Sequence, residues 1–202
     1  MPKISIVNYG VGNLRSVRRG FEKSGAQVEV VSKPAEMAKS DAIVLPGVGA
    51  FEEAIANLKP MSNAIVDEVR KGKLLLGICL GLQLLFTRSY EGGVQRGLDL
   101  VRGEVVKLPG TVKLPHIGWN DIRIVKATPL LERVRSGSYL YFVHSYVADP
   151  IDQSTIAAST EYGIEFPSAL WSGNIFATQF HPEKSGETGL SILRNFVETV
   201  KR

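Results

Sequence analysis

A chain of 202 residues, 44% hydrophobic and 22% charged, is long enough for one domain with a genuine core and too apolar to be disordered. Lysine and arginine exceed aspartate and glutamate by 24 − 20 = 4, and the densest basic group (Arg15, Arg18, Arg19) reads as a solvated helix face, so no nucleic-acid partner is expected. One cysteine excludes an intrachain disulfide, and with only His116, His144 and His181 beside it a thiolate-rich zinc site is excluded too; no apolar run reaches the roughly 18 residues of a membrane span.

In chain order, Ile4–Tyr9 is a β-branched run ending at Gly10, and Asn13 can cap a helix to about Lys23. Gln27–Ser32 alternates as a strand should, and Ala42–Leu45 is a third strand closed by Pro46-Gly47-Val48-Gly49. Phe51, Ala54, Ile55 and Leu58 share a helical face, which Pro60 is expected to break or kink before the pattern resumes at Ile65 and Val69. Leu74–Cys79 is apolar throughout, as a central parallel strand tends to be, and an amphipathic stretch follows it to Phe86. From Gly103 the style changes to strands joined by turns: Glu104–Leu108, Asp121–Val125, Tyr139–Val147, Thr155–Ser159, Ser168–Trp171 and Ile175–Phe180. A last helix places Leu190, Leu193, Val197 and Val200 on one face. The expectation is a single domain, 1–202, of α/β class: a flavodoxin-like open parallel sheet flanked by helices, with an antiparallel β extension. The lone thiol and the lack of a signal-like N-terminus make a cytoplasmic location the expectation.

Three predicted strand ends carry glycine, and ligands of open parallel sheets sit at such ends. Gly10-Val11-Gly12 followed by Glu29 approaches a dinucleotide fingerprint, but Arg15 stands where the third glycine belongs. Pro46–Gly49 fits a tight turn or a loop whose amides face an anion. Gly77-Ile78-Cys79-Leu80-Gly81 is the informative one. It is a nucleophile-elbow pattern with Cys in place of Ser, raising the thiol at the start of a helix. The competing reading is a small buried hydrophobe. A nucleophile needs a base and the base an orienter; His181-Pro182-Glu183 offers both, since residues two apart on an extended chain point the same way. His144, inside an apolar strand, reads as a structural histidine, and His116 follows Pro115 in a turn.

Together these segments resemble the class I, triad-type glutamine amidotransferases over essentially the whole chain. The resemblance is carried by Asn8–Leu14, Leu45–Phe51, Gly77–Phe86, Pro115–Asn120, Phe142–Tyr146 and Gln179–Ser185. It implies Cys79 as nucleophile, His181 as proton shuttle and Glu183 as its orienter, acting on glutamine with no cofactor and no metal. It implies oxyanion donors from Leu80 and from Gly47, Val48 and Gly49, each worth ~3–4 kcal/mol. Gln83, Glu91, Ser145 and Tyr146 match substrate-contacting positions. Asn13, Trp119, Asn120, Tyr141 and Lys184 match positions facing a barrel-shaped cyclase subunit, which receives the ammonia for histidine synthesis. For Trp119, core packing is an equal reading by residue type. The alternatives are a glutaminase serving pyridoxal phosphate synthesis, which Pro115-His116-Ile117-Gly118-Trp119-Asn120 argues against, a cysteine hydrolase or peptidase on the same scaffold, and a non-catalytic interaction module.

Overall fold

The computed structural model describes all residues, 1–202. Its elements are β1 (Lys3–Val7), α1 (Leu14–Lys23), β2 (Gln27–Val31), α2 (Pro34–Met37), β3 (Ala42–Gly47), α3 (Phe51–Arg70), β4 (Leu74–Cys79) and α4 (Leu80–Leu84). There follow β5 (Phe86–Ser89), β6 (Gln95–Arg96), β7 (Val101–Lys107), β8 (His116–Ile124), β9 (Ser138–His144), β10 (Tyr146–Pro150), β11 (Ile156–Tyr162), β12 (Ile164–Ser172), β13 (Ile175–Thr178) and α5 (Gly186–Lys201).

Nine strands form one sheet in the order β2-β1-β3-β4-β13-β12-β11-β8-β9. The first five are mutually parallel, the flavodoxin order, and the rest are antiparallel, so the extension continues the main sheet. Successive side chains of a strand face opposite sides. Ile4, Ile6, Val44, Leu76 and Ile78 accordingly pack with α1 and α5, through Phe21, Ile192 and Phe196. Val7, Ile43, Leu45 and Leu75 pack with α3 through Phe51, Leu58 and Ile65. Two-sided burial is why the parallel strands read as unbroken apolar runs.

Three expectations need correction. Pro60 does not break α3, which runs for 20 residues. Both Pro60 and Ala56, whose carbonyl loses its amide partner, are exposed, so the missing bond falls on the solvent side of the helix rather than in the core. The amphipathic stretch after Cys79 is helical only to Leu84, because the carbonyls of Leu84 and Leu85 accept from the amides of Leu98, Leu100 and Val101. Phe86 therefore begins β5 of a second sheet, ordered β10-β7-β5-β6. Finally, Tyr139–Val147 is two strands: the chain bends at Ser145, with β9 pairing β8 in the large sheet and β10 pairing β7 in the small one.

Candidate active site

Strand β4 delivers Cys79 to the carboxyl edge of the parallel sheet, in register with Gly47 of β3. Cys79 takes φ 54° and ψ −109°, a backbone conformation costing a non-glycine residue ~1–3 kcal/mol and found mostly at functional sites. The elbow is possible only because its glycines lack side chains: a Cβ on Gly81 would collide with the Leu45 carbonyl, and one on Gly77 would lie 2.8 Å from the Gly81 oxygen. The sulfur is 3.6 Å from the Val143 carbonyl and 3.7 Å from Gln179 Nε2, which points a donor at it. A five-residue α4 aligns few peptide dipoles, so the helix start adds little at the sulfur, and the Gln179 amide is the side-chain donor that faces it.

His181 arrives at the same edge just after β13. The amide of His181 donates to the Tyr141 carbonyl (2.9 Å), and Ser185 Oγ donates to the His181 carbonyl (2.6 Å) while accepting from the Tyr141 amide (3.0 Å). Its Nδ1 lies 2.8 Å from Glu183 Oε1, with both side chains only 2% exposed. The expected pairing is present, but by another route: Pro182–Lys184 is a 3-10 turn that brings Glu183 back to the Nδ1 edge of the ring. The other ring nitrogen, Nε2, is buried and makes no regular hydrogen bond within the protein. Burial alone would depress this imidazole. The negative charge of the nearby Cys79 sulfur, then Glu183, outweigh burial and push it up to about 10.

Beside the sulfur lies a cavity of about 90 Å³ lined by Val48, Gly49, Leu80, Gln83, Glu91, Val143, His144, Ser145 and Tyr146. Of the expected oxyanion and substrate residues only Gly47 is missing from this wall; it ends β3, and any side chain there would strike the Tyr9 hydroxyl. Gln83 Nε2 donates to the Tyr146 carbonyl (2.9 Å) and to Gln179 Oε1 (3.2 Å). Glu91 Oε2 accepts from the Phe51 amide at 3.0 Å, capping α3, whose Ala50 offers no capping side chain. Burial raises the Glu91 carboxyl above its ordinary range, and that amide partly opposes the shift.

Two contributors went unassigned in the sequence. Tyr9 is buried and donates to the Pro46 carbonyl, anchoring the glycine loop; burial, then the Cys79 charge, raises its phenol. Gln179 is fully buried against the thiol. Their only signal was membership of the Asn8-Tyr9-Gly10 and Gln179-Phe180-His181 runs, because a contact between distant segments leaves no local spacing. His144 is hydrogen-bonded and buried, as expected; His116 is not in a turn but on β8, stacked 4.0 Å from Tyr162.

The remaining expected residues lie away from the cavity. Trp119 is 55% exposed, which removes core packing as its role, and it meets Tyr141 edge-on at 6.1 Å. Lys184 Nζ stands 5.7 Å above the Tyr141 ring. Asn13 is exposed and caps α1 by accepting from the Ser16 amide (3.2 Å), while Asn120 Nδ2 turns inward to the Glu161 carbonyl (3.0 Å).

The model of the glutamine amidotransferase class-I family matches residues 5–200. The chain is 48% identical over 200 residues to imidazole glycerol phosphate synthase subunit HisH of Caldanaerobacter subterraneus subsp. tengcongensis, covering 98% of each chain. It is 50% identical over 202 residues to the HisH subunit of Halobacterium salinarum, covering 96% of this chain and 92% of the relative. Among solved structures, a GMP synthase subunit of Thermoplasma acidophilum superposes with a TM-score of 0.78 at 23% identity, covering 100% of this chain and 94% of that one, which speaks for the fold alone. The chain belongs to the class-I glutamine amidotransferase family, with full-length relatives among the HisH subunits of imidazole glycerol phosphate synthase.

Proposed function

We propose that the chain is the glutaminase subunit of imidazole glycerol phosphate synthase, and that it hydrolyses glutamine through a Cys79 thioester. The supporting observation is the placement of His181 between Glu183 and the strained, cavity-lining Cys79. The sulfur attacks the carboxamide carbon, and the oxyanion that forms meets backbone amides of Leu80 and of the Gly47–Val48–Gly49 loop. The His181 imidazolium, its Nδ1–H donated to Glu183, gives its Nε2 proton to the departing ammonia and is left as the neutral Nδ1–H ring. The neutral ring then takes a proton from water, which attacks the thioester; glutamate leaves and the thiolate–imidazolium pair returns. Glu91 Oε1 is the group for the substrate ammonium, since Oε2 is engaged with Phe51. Gln83, Ser145 and Tyr146 hold the rest of the molecule.

The whole chain acts as one domain in the cytoplasm. Its partner is a cyclase built as a barrel of alternating strands and helices, to which ammonia passes without release to solvent. Asn13, Trp119, Asn120, Tyr141 and Lys184 form the side that meets it. Replacing Cys79 by Ala is expected to abolish glutamate release while leaving cyclase binding and cyclisation with added ammonium intact. Glutamine hydrolysis by that variant near the parent rate would overturn the mechanism, and peptide cleavage by the lone chain would favour a peptidase instead.

A further inference from the structure

From His144 in the cavity wall to His116 behind it, two buried histidines make a chain of hydrogen bonds that the mechanism does not use. His144 Nδ1 lies 3.0 Å from the Tyr146 carbonyl, and its Nε2 lies 3.0 Å from Nδ1 of His116. His116 Nε2 lies 3.4 Å from Nδ2 of Asn120. The direction of every bond follows from donor and acceptor chemistry. A carbonyl only accepts, so His144 must carry its proton on Nδ1. With a neutral ring its Nε2 is then an acceptor, which requires a proton on His116 Nδ1. That leaves His116 Nε2 as the acceptor for Asn120. The Asn120 amide cannot be turned round, because its Oδ1 accepts from the Asp121 amide (2.9 Å) and its Nδ2 also donates to the Glu161 carbonyl (3.0 Å).

At the other end, the Tyr146 carbonyl takes a second donor, Gln83 Nε2 at 2.9 Å. Both of its lone pairs are therefore filled. The same Gln83 nitrogen donates to Gln179 Oε1, and Gln179 Nε2 faces the Cys79 sulfur. With both amide hydrogens of Gln83 committed, its oxygen is the atom left for a ligand.

We propose that His144, held in one tautomer by His116, is a positioning residue for the glutamine site: it fixes the Tyr146 carbonyl, and through that carbonyl the orientation of the Gln83 amide. The inference rests on the glutaminase reading for its ligand, but the tautomers belong to the fold. Burial keeps both rings uncharged, pushing His116 down and His144 down to about 3 against the bond to the Tyr146 carbonyl, which favours the charged form. Stacking of His116 between Phe142 (5.1 Å) and Tyr162 (4.0 Å) prevents a ring flip from rescuing a wrong tautomer.

Two measurements test this. Nitrogen-15 correlation spectra of histidine-labelled protein, folded and without substrate, are expected to show both His116 and His144 as neutral Nδ1–H tautomers; an Nε2–H form at either ring overturns the proposal. In steady-state assays with the cyclase present, His144→Leu is expected to raise the KM for glutamine about tenfold with kcat changed less than about threefold. His144→Asn, whose amide can donate from the Nδ1 position, is expected to return KM to within about threefold of the parent. Equal KM values for Leu and Asn, or a loss confined to kcat, would show a merely structural role. The spectra need no turnover, so they stand even if the Cys79→Ala test removes the glutaminase reading, and they decide the matter if His144→Leu does not fold.

Discussion

At the level of single residues, the chemistry turns on where one proton sits. The His181 imidazole is pushed up from 6.5 to about 10 by an adjacent sulfur charge and by Glu183, against the opposing effect of burial. A group whose folded value is raised stabilises the native state fully below its unfolded value, and that contribution fades as pH climbs through about 10. The ring is therefore expected to remain an imidazolium at neutral pH, ready to protonate a leaving amine. Histidine nitrogen shifts followed by NMR are expected to show one ring titrating far above the usual range. In Cys79→Ala the same ring is expected to titrate lower, because the largest influence raising it is gone; an unchanged midpoint would mean that the sulfur does not carry the charge. Cys79, His181 and Glu183 were legible because elbow and His-x-Glu are local spacings. Tyr9 and Gln179 were not, since each matters only through a group brought from about 40 or 100 positions away.

Elements were legible where one face or both faces of a strand meet the core, and illegible where tertiary contacts decide. The parallel strands and α1 fell almost where the pattern placed them. The small sheet did not, since β6 is two residues long and β5 begins inside what reads as a helix. The bend at Ser145 was hidden because the apolar pattern resumes at Tyr146 and Val147 after only His144 and Ser145, although β9 and β10 belong to different sheets. In α3 the proline rule lost to geometry: the missing hydrogen bond falls on the wet side, and a buried row of Phe51, Ala54, Leu58, Met61, Ile65 and Val69 holds the helix through it. Replacing Pro60 by Ala restores an amide donor to Ala56 and removes a helix-interior penalty of up to ~3 kcal/mol, offset by the ~1 kcal/mol that proline gains from a stiffer unfolded chain and by the exposure of Ala56, which softens that penalty. A net gain of about 1–2 kcal/mol is expected, or ~3–6 °C in Tm at this chain length, with unchanged glutaminase activity. A lower Tm would mean that the ring itself packs usefully.

Taken as a whole, the molecule puts its reactive edge and a bare apolar patch on different strands of one sheet, joined where His181 bonds to β9. The carboxyl ends of β4 and β13 supply the thiol and, one turn on, the imidazole. The outer strands β8 and β9 pair Trp119 with Tyr141 and Ile117 with Val143; Ile117, Trp119 and Tyr139 are all more than half exposed on the side opposite His116, Phe142 and His144. A contiguous exposed patch with aromatics and a cation, Lys184, above one of them has the composition of a binding surface. It is also wired to the chemistry, since the Tyr141 carbonyl accepts the His181 amide and its own amide reaches Ser185. A partner that shifts β9 is therefore expected to act on the base through these two bonds. Trp119→Ala removes an exposed side chain, so its effect on folding stability is expected within about 0.5 kcal/mol. Loss of an interface tryptophan is expected to weaken cyclase binding by about 2 kcal/mol, roughly 30-fold in Kd, measurable by titration calorimetry. Stimulation of glutamine hydrolysis at saturating cyclase is expected to fall as well, because the backbone of the base is hydrogen-bonded to patch strand β9. An unchanged Kd together with unchanged stimulation would place the partner on another face, and the exposure of Trp119 would then need a different explanation.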